Sequence, residues 1–371
     1  MKEEDNRSIA ELMLEPEDES PKLPKISPKF IIDNIEKLVK SVKSKELLVL
    51  KSANQSMKDS SLNEVPNVLF DHFWLEGELC ILYADTNLGK SILAVQIADS
   101  ISKGEPVEGF SFTAKKQPVL YFDFELSDKQ FEARYSCNYT DHYRFDESLY
   151  RVTINSDADI VDEKEFNKKI CRKMEECIMQ TSAKVVIIDN LTYLNTETEK
   201  ARFALPLMQY LKRLKSHYGL SILMLAHTPK RNPTNPLSKN DLQGSKMMMN
   251  FCDSSFAIGE SQTTTNIRYL KQIKQRNIEH KYHTENVCVF ELSKKHNFLG
   301  FTFVGYSPEY EHLYRPNENS RAERDEEILK LKKERLSSRK IADRVGLSHT
   351  AVIDILKKHK KVESAESMET D

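Results

Sequence analysis

From about Pro66 to Tyr306 short apolar runs alternate with longer segments of helical period. The runs LCILYA (79–84), PVLYFDF (118–124), YRVTI (150–154), KVVIID (184–189) and SILMLA (221–226) are apolar at most positions. A strand with one wet face alternates polar and apolar residues, whereas a strand apolar throughout is covered on both faces. Helix-length segments lie between these runs at 89–103, 127–139, 163–180 and 199–218. Strands alternating with helices predict an α/β fold built on a parallel sheet. After about residue 253 the helical periods stop. Strand-like runs take over (DSSFAIG, NIRYLKQIKQ, ENVCVFEL, GFTFVGY), which predicts antiparallel strands added to one edge.

The flanks read differently. Residues 1–20 hold eight acids and two bases, and prolines follow at 21, 24 and 28. Such a segment buries too little apolar surface to order itself, so 1–28 is expected to be a disordered acidic tail. The stretch 29–64 reads as a helix (Ile31, Ile35, Leu38, Val39, Val42) followed by a polar linker from Ser52 to Asn63. The α/β domain is placed at 65–306, a linker at 307–320, a basic helical segment at 321–361 and a disordered tail at 362–371.

Charge alters this picture only locally. Across 371 residues, 55 Lys+Arg face 57 Asp+Glu, so no global cationic field exists and any grip on nucleic acid must be local. The segment 321–361 supplies one candidate, with thirteen bases against seven acids. No apolar run approaches the roughly 18 residues of a membrane span, and MKEEDNRS opens no secretory signal. The six cysteines show no CxxC pair or metal-ligand spacing. A cytoplasmic protein with reduced thiols and no membrane partner is expected.

The strongest chemical signal is Ala84-Asp85-Thr86-Asn87-Leu88-Gly89-Lys90-Ser91 between a strand and a helix. It matches the phosphate-binding loop G-x-x-x-x-G-K-[ST] except at its first position. Backbone N–H groups of such a loop wrap a β-phosphate, Lys90 would reach the β- and γ-phosphates, and Ser91 would bind Mg²⁺. Ala84 is the departure, since a Cβ restricts positive φ. ATP and Mg²⁺ are therefore the expected cofactors. The strand KVVIID ends in Asp189, placed to orient that Mg²⁺. Position 190 is Asn, so a general base must come from elsewhere. Glu125, after the strand PVLYFDF, can face the γ-phosphate across the crevice at the strand ends, with Asp123 as its competitor. His227 ends SILMLA and can either contact the γ-phosphate or serve packing alone.

Three further segments carry charge. The polar loop PKRNPTNPLSKN, with Lys230, Arg231 and Lys239, is either a disordered connector or a mobile grip on nucleic acid. Lys274 and Arg276 stand two apart on a strand-like run. They are either edge-strand guards or cations that relieve transition-state charge across a subunit boundary. At the C-terminus, helical stretches are expected at Arg324–Glu334, Ser338–Val345 and Ser348–His359. Ala342, Gly346 and Leu347-Ser348 fall where a helix-turn-helix needs a small residue, a turn and a new helix start. Ile328, Leu331, Ile341, Val345, Leu347, Val352, Ile353 and Leu356 would form its core. Ser348, His349, Thr350 and Asp354 would face the major groove, with Lys357, Lys358, Lys360 and Lys361 on phosphates. The bland alternative is a helical oligomerisation tail.

Taken together, ADTNLGKS, FDFE with Glu125, VVIIDN, LAHT, SKNDLQGS (238–245) and KQRN (274–277) resemble the RecA-like ATPase core of hexameric DNA helicases. The DnaB and plasmid RepA branch is the nearest likeness, over about residues 65–306. Ala84 departs from the family's usual first Gly, and His227 stands where replicative helicases carry Gln, which points to the RepA-like side. The resemblance implies a RecA-like, mostly parallel sheet flanked by helices, with antiparallel edge strands and a small all-α helix-turn-helix domain. It implies ATP hydrolysis with Mg²⁺ and action on DNA in replication or mobilisation of a plasmid or integrated element. Single-stranded DNA would bind at the core and duplex at the C-terminal module. It further implies a homo-oligomer, expected as a hexameric ring, in which Lys274 and Arg276 reach the neighbouring subunit's nucleotide. The runner-up reading is a DNA-binding regulator switched by ATP with little turnover.

Overall fold

The computed structural model describes residues 48–155, 163–191, 201–229, 231–242, 246–314 and 318–366. The chain divides into two units, Met1–Pro66 and Asn67–Asp371. In the first, a helix runs Ala53–Ser60, where sequence suggested a polar linker. The Ser52 hydroxyl accepts the Gln55 N–H at 3.1 Å and caps it, a start signal that polar composition masked. The acidic tail at 1–28 and the helix expected after it lie outside the described residues, save the last few positions of the latter.

The second unit is built on a nine-stranded sheet. Its strands are β1 (Leu79–Ala84), β2 (Val119–Asp123), β3 (Leu149–Val152), β4 (Val185–Asp189), β5 (Ser221–His227), β6 (Ser254–Glu260), β7 (Ile267–Lys274), β8 (Val287–Lys295) and β9 (Phe298–Ser307). Their order across the sheet is β9-β8-β7-β6-β1-β5-β4-β2-β3. From β6 to β3 every pairing is parallel, and from β6 to β9 every pairing is antiparallel. This is the mostly parallel sheet with antiparallel edge strands that the sequence predicted. Strands β1, β2 and β4 are buried at every position, as their uninterrupted apolar runs require. β3 differs. It is only partly buried, because it lies at the parallel edge and has one neighbour.

Helices cover the sheet: α1 (Lys90–Lys103), α2 (Asp128–Arg134), α3 (Glu163–Thr181), α4 (Ala201–Tyr218) and α5 (Lys246–Phe251). Along α1, Ile92, Leu93, Val95 and Ile97 are buried against the core. α2 is shorter than the 127–139 segment expected of it. Ser127 and Gln130 form a capping box at its start. Tyr135 ends it by packing on Phe145 and Phe298, and the chain then turns through positive φ at Asn138 and Tyr139.

Residues 307–314 are not the linker their composition suggested. Glu309 is fully buried, and its carboxylate accepts the Leu237 N–H at 2.6 Å and pairs with buried Lys271 of β7. Lys271 also donates to the Leu237 carbonyl at 2.8 Å, and the Tyr314 N–H to Pro233 at 3.1 Å. This strap therefore ties the loop after β5 to the antiparallel half of the sheet.

Beyond it come α6 (Glu318–Lys333), α7 (Ser338–Val345) and α8 (His349–Glu366). Ile328, Leu331, Ile341, Ala342 and Val352 form their core, with Val345, Leu347, Ile355 and Leu356 against it. Ile355 takes the place expected of Ile353, because it lies one helical step from Val352. Ser337 caps α7, and Gly346 ends it at φ 69°. α8 continues five residues past the expected boundary at 361.

Breaking a buried ion pair by removing one charge strands the other, at about 3–5 kcal/mol. Glu309→Gln is accordingly expected to lower unfolding stability by that amount in urea titration. A loss under about 1 kcal/mol would show that the strap adds little.

Candidate active site at the strand ends

Every parallel strand presents its C-terminal end at one edge of the sheet, and the loops there bring the polar residues together. The phosphate loop begins as β1 stops. Ala84 is fully buried and still in the strand, level with His227 of β5 and Ile258 of β6. Positive φ falls instead at Asn87 (62°) and Gly89 (92°), so Ala at the first position carries no backbone penalty. Gly89 is required twice over. Its φ is left-handed, and an added Cβ would lie 2.9 Å from Cζ of Phe301.

Thr86 and Asn87 are exposed at the loop's tip, Asp85 and Leu88 are half-buried, and Asp85 accepts the Thr86 N–H at 2.8 Å. Lys90, buried at the first turn of α1, donates to the carbonyls of Ala84 at 3.0 Å and Asp85 at 2.9 Å. Burial lowers its pKa, against the opposing pull of Glu125, Asp189 and Asp85. Lys90 thus stands between the loop and two carboxylates.

Asp189 at the end of β4 is fully buried, and the Tyr121 hydroxyl donates to its Oδ2 at 2.7 Å. Its Oδ1 has no hydrogen-bond partner. Burial, with the charges of Glu125 and Asp123, pushes its pKa up to about 6, while Ser91 and Tyr121 pull the other way. A buried carboxylate oxygen without a donor, beside the Ser91 hydroxyl, suits a hard cation. Mg²⁺ takes one or two protein oxygens and completes its shell with phosphate and water. Among the described residues no group of three or more His, Cys, Asp or Glu could hold a metal alone, so such an ion would arrive with its nucleotide.

Glu125 follows β2 and meets two partners, one after the adjacent strand β4 and one at the end of β5, the strand beyond it. Its Oε1 accepts from Nδ2 of Asn190 and lies 3.3 Å from Nε2 of His227, and those two nitrogens are 2.9 Å apart. The hydrogen bond from His227 is the largest cause holding the Glu125 pKa below the usual carboxylate range, with Lys90 adding to it. Glu125 is thus ionised and able to accept a proton. Asp123, its competitor, is fully committed. Oδ1 accepts the N–H groups of Glu125 at 3.2 Å and Leu126 at 2.9 Å, and Oδ2 binds Arg151 at 2.8 Å. Sequence reading missed Asn190 as a participant; its only signal was a polar residue directly after Asp189.

The remaining candidates fall elsewhere. Lys239 is exposed in a short turn at Lys239–Asp241, and Lys230 lies outside the described residues. Arg231 turns inward, bonding the Asn235 carbonyl and the Tyr269 hydroxyl. Leu237 is buried and the Tyr83 hydroxyl donates to Ser238 O at 2.7 Å, so residues 231–242 are held in place and are no disordered connector. Lys274 ends β7, and Arg276 lies in the turn beyond it rather than on the strand. Both cap α5: Lys274 donates to Cys252 O at 2.7 Å and Arg276 to Asn250 O at 2.9 Å. This is the opposite end of the sheet from the phosphate loop, beside Asp253, which binds the N–H of Leu79 where β1 begins. In the C-terminal helices His349, Thr350, Lys357 and Lys358 are exposed. The Ser348 hydroxyl instead accepts the Ala351 N–H at 3.1 Å, a helix cap.

A model of the AAA domain family matches residues 46–233, which spans the phosphate loop, Glu125, Asp189 and His227. No match was found among curated proteins. Among solved structures, a KaiC-like protein from the hyperthermophilic archaeon Pyrococcus horikoshii is similar, at 14% identity and a TM-score of 0.44. The likeness covers 63% of this chain and 93% of that one.

Lys90→Ala is expected to abolish ATP binding measured by calorimetry, because it removes the cation beside the loop. Glu125→Gln should bind ATP normally but hydrolyse it about 10²–10⁴-fold more slowly. Wild-type turnover in Glu125→Gln would take the base role away from this carboxylate.

Proposed function

We propose that this chain, which belongs to the AAA domain family, is an ATP-hydrolysing motor or loader acting on DNA, of the kind that replicates or mobilises a plasmid or integrated element. The observation that carries the hydrolytic part is the convergence of Lys90, Ser91, Asp189, Glu125, Asn190 and His227 at one edge of the sheet. In this reading the loop 84–91 holds the phosphates and Lys90 spans the β- and γ-groups. Ser91 and Asp189 would hold and orient Mg²⁺, which would supply neutralisation of the phosphate charge. Glu125 takes the proton of the attacking water. Asn190 and His227 fix the carboxylate, and His227 contacts the γ-phosphate.

Phosphoryl transfer also needs a cation on the side of the leaving charge, worth about 10³–10⁵-fold where it has been measured. Lys274 and Arg276 are our candidates, acting on a second copy. Their own phosphate loop is out of reach, because a six-residue strand such as β1 rises about 20 Å. A ring of copies, with six as the expected number, supplies such an interface. DNA recognition is assigned to α6–α8 as a helix-turn-helix. His349 and Thr350 face bases at the start of α8, and Lys357 and Lys358 face phosphates. Lys230 and Lys239 are proposed to meet single-stranded DNA; Arg231, turned inward, supports that loop.

A second reading, a DNA-binding regulator that uses ATP as a switch, is favoured by the grip of Asn190 and His227 on Glu125, which restrains the base. Sustained turnover in the presence of DNA separates the two.

Mixing tests the shared interface. Arg276→Ala and Lys90→Ala, each inactive alone, should recover partial ATPase activity when co-assembled, since some interfaces then combine one intact loop with one intact cation. No recovery despite confirmed co-assembly would place Arg276 outside the reaction.

Lys357→Glu/Lys358→Glu should weaken duplex binding by the full chain and reduce the slope of log affinity against log salt by about 2, because each phosphate contact contributes about 0.9. An unchanged slope would assign the basic face of α8 to subunit contacts instead.

A further inference from the structure

A residue that braces the peptide of Glu125 without touching its side chain lies on the neighbouring edge strand. Arg151 sits in β3, level with Tyr121 of β2. Its guanidinium makes three directed contacts. Nε donates to Asp123 Oδ2 at 2.8 Å, one terminal nitrogen to Asp128 at 2.6 Å, and the other to the Leu126 carbonyl at 2.8 Å. The same group lies 4.5 Å from the centre of the Phe131 ring. Asp123 has no exposed side-chain surface, and its other oxygen accepts the N–H groups of Glu125 and Leu126. One planar cation thus holds the peptide that carries Glu125 from both sides. It acts on the N–H groups through Asp123 and directly on the carbonyl one residue on.

We propose that Arg151 is a positioning residue for hydrolysis, fixing the backbone of residues 124–126 so that the Glu125 carboxylate points across the strand ends toward Asn190 and His227. This rests on the hydrolytic reading above. The structural argument is the fork geometry. Three bonds from one planar group, to a buried carboxylate, a surface carboxylate and a carbonyl, set an orientation that a point charge cannot. A carboxylate displaced by about 1 Å costs a reaction on the order of 10²-fold, so the arrangement has leverage on rate without a contact to nucleotide. A merely structural arginine would change stability and nucleotide affinity together, and its effect would not depend on Glu125.

The test uses the full chain in four variants, Arg151→Met, Arg151→Lys, Glu125→Gln and Arg151→Met/Glu125→Gln, with Lys90→Ala as the inactive control. ATP affinity, kcat and thermal melting are read for each. Arg151→Met should lose kcat on the order of 10–100-fold, with ATP affinity within about twofold of wild type. Arg151→Lys should fall between Met and wild type, since it keeps the charge over Phe131 but not the fork. In the Glu125→Gln background, Arg151→Met should cost nothing further, because there is no base left to aim. The proposal is overturned if the loss is equal in both backgrounds, if ATP affinity falls in step with kcat, or if Arg151→Lys keeps full kcat. Should Arg151→Met fail to fold, the lysine variant in the two Glu125 backgrounds decides the question alone. A wild-type rate no higher than that of Lys90→Ala would instead sink the hydrolytic reading, and this inference with it.

Discussion

The constraint on which the structure turns is the burial of the parallel strands on both faces. β1, β2 and β4 expose no side chain, so none can carry a polar group to solvent except at its ends. Parallel pairing then puts all the C-terminal ends at one edge. The sheet order sets β5 between β1 and β4, so His227 stands beside the phosphate loop, and Asp189 and Glu125 follow at one- and two-strand intervals of about 4.8 Å. The chemistry is concentrated because the core leaves it nowhere else to go.

Electrostatics reinforces that placement. Lys90, Asp189 and Glu125 share a partly dry crevice, and each charge alters the others: burial lowers Lys90 and raises Asp189, while His227 holds Glu125 down. An ionised base beside a carboxylate of raised pKa is how one crevice keeps two acids in different roles. The antiparallel half works differently. There Glu309 and Lys271 pair with each other and with the Leu237 backbone, so this pair shapes a loop.

The sheet and the order of its motifs were legible because both depend on local pattern. Apolar runs mark buried strands, and Gly89-Lys90-Ser91 marks the loop. What stayed hidden depends on contacts distant in sequence. Glu309 looks like linker until Lys271 is seen beside it. Arg151 is one polar residue in an apolar run until Asp123 and Leu126 close around it. Asn190 reads in sequence only as the lack of a glutamate until Glu125 and His227 meet it. Sequence does not show which loop residue takes positive φ, so Ala84 reads as a departure there, whereas Asn87 and Gly89 carry it. The pairing of Lys274 with Arg276 was legible as spacing, but its capping of α5 was not, since a helix of six residues is too short to show a helical period.

The central claim is that each chain holds a site complete but for a cation, and that this cation stands at the far end of the sheet. ATP turnover per chain, measured across a dilution series of the wild-type protein with mass followed in parallel, tests this most directly. The account predicts a rate per chain that falls as the assembly dissociates and recovers on concentration. A constant rate from assembly down to single chains would show that each site works unaided, and would contradict it.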